Sequence, residues 1–503
     1  MPVVEINYSI DFLPFEKKDF HFDAIVIGSG PAGATVAHQL TLAGQSVVVL
    51  EEGPLVKAEN FPESSFQAMT QLYRDMSTSM ILGNCPMPFV QAKMVGGAST
   101  INGAISWRLP LHVYHDWLDQ DPGLEPHLQW NDLQNIFNKI EFDLNIAPTD
   151  EKIAGPNNLL LKAGADLLKL ENRPIYRNVK ECEGLGRCLQ GCPKRHKLSM
   201  ENSYLRWAVE KGCTLFPNVK AQKIIVEYQK AVGVLFTTLS GDQITIKAKN
   251  IIVAASAVQS PSLLISSGIK QGPVGKNFQC HPGISMAGRF PTPVHVWRGA
   301  TQGHEVIELC SQGIKFEALG YDRTIVAMRL KGVGKELMED ISQLKYWANW
   351  GAAIKAQAKG RVIPGRNRSQ IIYSLTKDDL VKVRKAVRIL GEMMLAAGAT
   401  YVTPGVQGWH KKVLQPLIMA KFEKEVPLNP KLFTMAVTHM FGTCKMGSDP
   451  KTSVVRPDFR HHHIAGLYVA DSSVFPTNIG VNPQTSIIAL AHLCAKSVAD
   501  ATP

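Results

Sequence analysis

Long hydrophobic runs free of charge are missing from this chain. No stretch of about 18 apolar residues lacks a charge, so no membrane-spanning helix is expected. The opening residues, MPVVEINYSIDFLPFEKKDF, have no basic start followed by an apolar run and do not read as a secretory signal. A cytoplasmic location is the default expectation, unless a partner carries the protein to a membrane or through export. A dense basic run with interleaved aromatics is also absent, and with it the case for nucleic acid. The balance is still basic, with 54 Lys plus Arg against 43 Asp plus Glu, a formal +11. That leaves room for a basic face toward an acidic protein or a membrane surface. Cysteine is sparse and odd in number, nine in all, and six are scattered (Cys85, Cys213, Cys280, Cys310, Cys444, Cys494). A disulfide framework is not expected. There is no internal repeat and no low-complexity tract.

What is there begins with length: 503 residues, 45% hydrophobic, suggest two domains with ample core. Residues 22–53 read FDAIVIGSGPAGATVAHQLTLAGQSVVVLEEG. AIVIG suits a buried parallel strand, ATVAHQLTLAG a helix, and SVVVLEEG a second strand. Between the first two lies G-x-G-x-x-G: Gly28 for the tight turn, Gly30 for backbone approach to a pyrophosphate, Gly33 for close helix–strand packing. The helix N-terminus adds free N–H groups and the positive end of its dipole. Glu51 closes the second strand, placed to accept from ribose hydroxyls. A carboxylate there disfavours a phosphorylated ribose but does not separate NAD from FAD.

Further on, residues 92–102 read AKMVGGASTIN, 256–269 SAVQSPSLLISSGI, 439–447 HMFGTCKMG and 469–483 VADSSVFPTNIGVNP. Gly96 and Gly97 let the backbone approach a flat ligand. Asn102 offers both donor and acceptor. IIVAASA and GLYVADSSVFPT read as further buried strands, and in a doubly wound sheet ligands sit beyond the carboxyl ends of such strands. With the dinucleotide fingerprint, these segments resemble the glucose–methanol–choline (GMC) flavoprotein oxidoreductases in order and spacing. Ala98, Ser106 and Lys270 depart from the usual residues.

The resemblance implies FAD as cofactor, with Ser99, Asn102 and Pro483 at its site. It implies Asp471 near the pyrophosphate and ribityl chain, and Val219 opening the segment over the adenine. Alcohol oxidation by hydride transfer needs a base for the hydroxyl proton and an acceptor for the hydride. Histidine suits the first role because its pKa lies near working pH. By resemblance that base is His439, over the reactive face of the flavin, with Asn482 opposite. His281, in CHPG, is expected to be structural. His461, His462 and His463 cannot share one face and are expected in a solvent turn.

Residues 182–193, CEGLGRCLQGCP, place Cys182, Cys188 and Cys192 at C-x5-C-x3-C-P. That is the bacterial ferredoxin run with its second cysteine missing. Three readings stand: ligands of a [3Fe-4S] cluster, a disulfide pair, or inert thiols. Some bacterial GMC sugar dehydrogenase subunits look similar here and carry a three-iron cluster. The long-chain alcohol oxidase branch has a cysteine-rich loop at this place with no cluster implied. Residues 360–399 resemble that branch too and predict a strand, a turn and an amphipathic helix with core methionines.

The expected fold is α/β. A Rossmann-like FAD-binding domain with a doubly wound parallel sheet (residues 20–110, 180–290 and 430–503) is interleaved with an α+β substrate domain containing an antiparallel sheet (111–179 and 291–429). Residues 226–255 predict an antiparallel excursion from the main sheet. Residues 60–90 read either as a cover over the flavin or substrate entrance or as an ordinary packed loop. The function implied is FAD-dependent oxidation of an apolar aliphatic or aromatic alcohol to a carbonyl. Oxygen, a quinone or a cytochrome-like carrier protein would take the electrons. A sugar or polyol dehydrogenase subunit passing electrons through a [3Fe-4S] cluster is the alternative, and a lyase that keeps its flavin is another.

Overall fold

The computed structural model describes residues 21–330, 332–365 and 368–501. Strand β1 (His21–Ile27), helix α1 (Pro31–Leu42) and strand β2 (Val47–Leu50) form in sequence, as the glycine pattern predicts. β1 and β2 pair in parallel, with Ala24 to Ile27 opposite Val47 to Leu50. Beyond β2 lies Thr214–Phe216, and on the other side of β1 lies Gln243–Val253, both parallel. Leu467–Val469 adds a further parallel strand to Gln243–Val253. The four residues of β2 are all buried, as a strand covered on both faces requires. Lys220–Glu227 and Lys230–Thr237 leave and rejoin this sheet antiparallel, so the expected excursion is present.

A second, larger sheet is mostly antiparallel and is organised around the long strand Lys276–Arg289. That strand pairs Trp347–Ile354 along one edge and Met435–Phe441 along the other. Ile314–Ala318 and His304–Val306 extend it outward. The strand carrying His439 thus belongs to this second sheet, although HMFGTCKMG runs on into the flavin half. Helix Lys377–Ala396 covers the sheet, its start fixed by a capping box: Thr376 Oγ1 accepts from Asp379 N, and Asp379 Oδ2 accepts from Thr376 N. Its Val383, Val387, Leu390, Met393 and Met394 are buried, so the methionines are core. The apolar interior has two main parts. One packs around Ile25, Val48, Ile252 and Leu490, the other around Ile284, Phe316, Trp350 and Leu390. Among the described residues no helix is long and apolar enough to cross a membrane.

One expectation is corrected. His461 is not in a solvent turn but buried at 3% exposure, because its N–H donates to Leu467 O and draws it under the strand. His462 is half-buried, within hydrogen-bond distance of Ser453 Oγ (2.8 Å) and Gly447 O (3.1 Å); only His463 is exposed.

Candidate active site

A cavity of about 910 Å³ lies between the two sheets. Its floor is the β1–α1 turn. Gly28 has φ +102°, and a Cβ there would run into Ala254 O. A Cβ on Gly33 would run into Gly28 O, so Gly33 is needed for helix–strand packing. Gly30 differs, because a Cβ there would meet only Gly97 Cα, at 3.9 Å. No protein contact demands glycine at residue 30; the side chain would instead project into the cavity, where a ligand needs the space. Gly97, at φ +56°, faces it, and a Cβ on Gly97 would come within 2.8 Å of Gly30 Cα. Two glycine turns thus line the cavity with bare backbone.

Glu51 is buried beside this turn. Its Oε2 accepts from Ser29 N at 3.0 Å and Ser29 Oγ at 2.7 Å, and its Oε1 from Gly53 N at 2.8 Å. Burial raises its pKa against those three bonds. Ser29 Oγ also accepts from Gly96 N at 3.0 Å, which ties the two glycine turns together. Ser29 is an unspecified position of the motif, so the fingerprint gave it no role.

Of the residues expected at the cofactor, Gly28, Gly30, Glu51, Gly97, Ser99, Asn102, Val219, Asp471, Asn482 and Pro483 line the cavity. Gly33 and Gly96 stand behind it. Ser99 is fully buried; its hydroxyl donates to Gly96 O and accepts from Met200 N, so it shapes the loop. Asn102 Nδ2 donates to Gln484 Oε1 at 2.6 Å, and its Oδ1 accepts from Ala104 N. Gln484 Nε2 is buried with no protein partner, an orphaned donor on the cavity wall. Asp471 accepts from Ser256 N, Ser260 Oγ and Ser473 N, while burial raises its pKa. The glycine cradle, the carboxylate and the unpartnered donor fit a flavin dinucleotide. Residues 60–90 contribute Ser65, Met69, Tyr73, Arg74 and Phe89 to the same wall.

His439 and Asn482 also reach this cavity. Burial and the Lys315 ammonium lower the pKa of His439 to about 4. Behind it stands His281, which does more than fill space. Gly480 N donates to His281 Nε2 at 2.9 Å, so neutral His281 carries its proton on Nδ1. His281 Nδ1 lies 3.2 Å from His439 Nδ1 and donates to it. The proton of neutral His439 therefore sits on Nε2, the ring nitrogen left for the cavity.

Asn482 Oδ1 accepts from Lys315 Nζ at 2.8 Å. Lys315 is 1% exposed and paired with Glu305 and Glu317. These three residues were missed from sequence. The available signal was alternation in IKFEA, which puts Lys315 and Glu317 on one face of a buried strand.

The cysteines lie apart from this site. Cys182, Cys188 and Cys192 surround a void of about 20 Å³, room for about one or two waters. Arg177, fully buried, reaches into it, with its terminal nitrogens 3.9 Å from Cys182 Sγ and 3.2 Å from Cys188 Sγ. Burial pushes the Cys188 thiol up, but Arg177 and Lys197 outweigh it and hold the pKa below its ordinary value. Lys197 Nζ is spent on the carbonyls of Thr100, Asn102 and Cys188. A three-iron cluster does not fit this space, and among the described residues no group of His, Cys, Asp or Glu is arranged to hold a metal ion. All three are free thiols.

Comparison with known proteins bears on the family and the fold. The family model for GMC oxidoreductase matches residues 22–283, and the C-terminal GMC oxidoreductase model matches residues 364–491. An uncharacterized GMC-type oxidoreductase of Mycobacterium tuberculosis is 31% identical over 473 residues, covering 93% of this chain and 74% of the relative. A long-chain-alcohol oxidase of Arabidopsis thaliana is 26% identical over 508 residues, covering 95% and 68%. The crystal structure of a pyridoxine 4-oxidase superimposes with a TM-score of 0.72 at 15% identity, covering 94% of this chain and 98% of the other.

Proposed function

The chain belongs to the GMC oxidoreductase family of flavoproteins, and from that premise we propose that it oxidises an apolar alcohol to the carbonyl compound. One observation carries the reading: His439 and Asn482 share a single cavity with the Gly30–Gly97 cradle. Bound FAD supplies the hydride acceptor, N5 of its isoalloxazine. The protein's part is to hold the hydroxyl oxygen, take its proton and exclude water. In the resting state His439 Nε2–H and the Asn482 amide N–H are two donors available to one oxygen. Such a pair stabilises the negative charge that grows there as the proton leaves.

His439 is the proposed base. Its resting tautomer has a proton on Nε2, so accepting the alcohol's proton there requires the opposite arrangement. His439 Nδ1–H then donates to His281 Nδ1, and His281 carries its proton on Nε2, which breaks the resting bond from the Gly480 N–H. The resting tautomers hold the oxygen, and the reversed ones remove its proton.

The apolar substrate is supported by the apolar part of the cavity wall, which includes Phe89, Met286, Leu319, Ile325, Met328 and Met435. The name of the Arabidopsis relative points the same way. Oxygen, a quinone or a carrier protein is the proposed electron acceptor. The test is anaerobic bleaching of the flavin by a panel of aliphatic alcohols, aromatic alcohols and hexoses. Bleaching by the first two supports the reading. Bleaching by hexoses alone would replace it with a sugar dehydrogenase, and no bleaching together with cyanohydrin cleavage would make the protein a lyase.

A further inference from the structure

Strands His304–Val306 and Ile314–Ala318 pair with Glu305 directly opposite Glu317. Two carboxylates in that register repel each other. Lys315 precedes Glu317 by two positions, so it lies on the same face of its strand, and its ammonium bridges the pair. It lies 2.7 Å from Glu305 Oε2 and in direct contact with Glu317 Oε1. Arg173 Nε donates to Glu305 Oε1 at 2.9 Å, Trp107 Nε1 to Glu305 Oε2 at 2.9 Å, and Gln302 Nε2 to Glu317 Oε2 at 2.7 Å. Two cations and two carboxylates balance, and the cluster would be satisfied without more.

It nevertheless makes one more bond. An ammonium has three protons, and the third contact of Lys315 crosses to Asn482 Oδ1 at 2.8 Å. An ammonium cannot donate to an amide NH2, so this contact settles which end of the Asn482 amide is which. The carbonyl is engaged, and Nδ2 bonds no described residue. Polarisation by the buried cation also strengthens the amide N–H groups as donors.

We propose that Lys315 is a positioning residue for Asn482, holding its carbonyl so that only N–H donors face the reacting oxygen. This rests on Asn482 being one of the two groups that hold the substrate oxygen. A free Asn side chain could turn and offer its carbonyl, which would repel that oxygen as charge develops on it. Lys315 removes this choice without touching substrate.

The test uses the FAD-loaded double variant Lys315→Met/Glu317→Gln, which keeps the cluster neutral. Its crystal structure needs no substrate. Asn482 turned away, or in two orientations, is expected; Asn482 in its single original orientation would overturn the proposal. Kinetics give the second arm, as a cycle with Asn482→Ala, using an alcohol that bleaches the wild-type flavin. The double variant is expected to slow flavin reduction by about 100-fold, the cost of a group misplaced by about an ångström, with KM changed far less. Adding Asn482→Ala should then cost little more, and fully multiplicative losses would overturn the proposal. If the double variant does not fold, Asn482→Asp in the intact cluster decides. Asp keeps the acceptor for Lys315 but presents oxygen to the substrate, so lost flavin reduction with FAD retained is expected and a wild-type rate would overturn the proposal. If no alcohol bleaches the wild-type flavin, the functional reading fails, and the crystal structure still decides for Lys315.

Discussion

His281 and His439 meet Nδ1 to Nδ1 at 3.2 Å, and a single backbone amide, Gly480 N–H, decides which of them carries the proton between them. The expected resting state has His281 protonated on Nδ1 and His439 on Nε2. Nitrogen-15 NMR of histidine-labelled protein, assigned by difference against His439→Asn, reads this directly. A resting His439 protonated on Nδ1 would contradict it.

The pH dependence of flavin reduction follows from the low pKa of His439. Burial and Lys315 bring it to about 4, so the ring stays neutral at every pH above that. The acid limb of the reduction rate is expected near pH 4 rather than near the ordinary histidine value of about 6.5. His439→Ala should abolish the reduction while FAD remains bound. Stopped-flow traces across pH 3 to 8 give both results, and a limb near 6.5 would show that burial does not hold His439 neutral in solution.

Stability should fall in acid for a related reason. His304, His439, His461 and His492 are each held near pKa 4, chiefly by burial. In the unfolded chain they titrate near 6.5, so unfolding takes up protons below that value. Their contribution is fully present above about pH 6.5 and is lost as pH falls toward 4. Urea midpoints at pH 7.5, 6 and 5 should decline in that order; a flat series would show that these histidines are not buried in solution.

Two glycines of one motif should behave differently. Gly33→Ala drives a methyl into Gly28 O and should destabilise the fold by about 1–3 kcal/mol or more. Gly30→Ala meets nothing closer than 3.9 Å, so the flavin-free fold should keep its melting temperature while FAD affinity drops. Thermal melts of the flavin-free protein and FAD titrations separate the two effects. Equal destabilisation by both variants would refute the cradle.

Iron and acid-labile sulfide should be absent from the protein as isolated, because Arg177 occupies the space among the cysteines. Cys188→Ser should leave flavin reduction by alcohol unchanged. A stoichiometric three-iron signal in electron paramagnetic resonance would require Arg177 to swing out of the loop.

Much of this architecture is legible in sequence where its cause is local. The β1–α1–β2 unit follows from glycine spacing and apolar periodicity, and helix Lys377–Ala396 from its apolar repeat. Other features depend on residues far apart in the chain. Nothing near Lys315 announces Asn482, because they meet only when two strands and the loop before the last helix converge. His281 reads as a filler until Gly480 and His439 are placed on either side of it. The burial of His461 comes from its contacts with Leu467 and Val455, and the narrowness of the cysteine loop from Arg177, which precedes that segment. Local patterns set elements; the chemistry here sits at their crossings.

The cavity also has a bearing on how the protein is made. Its walls come from residues as early as Ile27 and as late as Ile487, with Gly97, Val219, Lys220 and Asp471 in between. A nascent chain therefore has no complete flavin site until residue 487 has been synthesised and folded against the β1–α1 turn. Cofactor loading then waits on both ends of that span, and the yellow colour of a preparation serves as an inspection stamp: only chains intact from residue 27 through residue 487 can carry it.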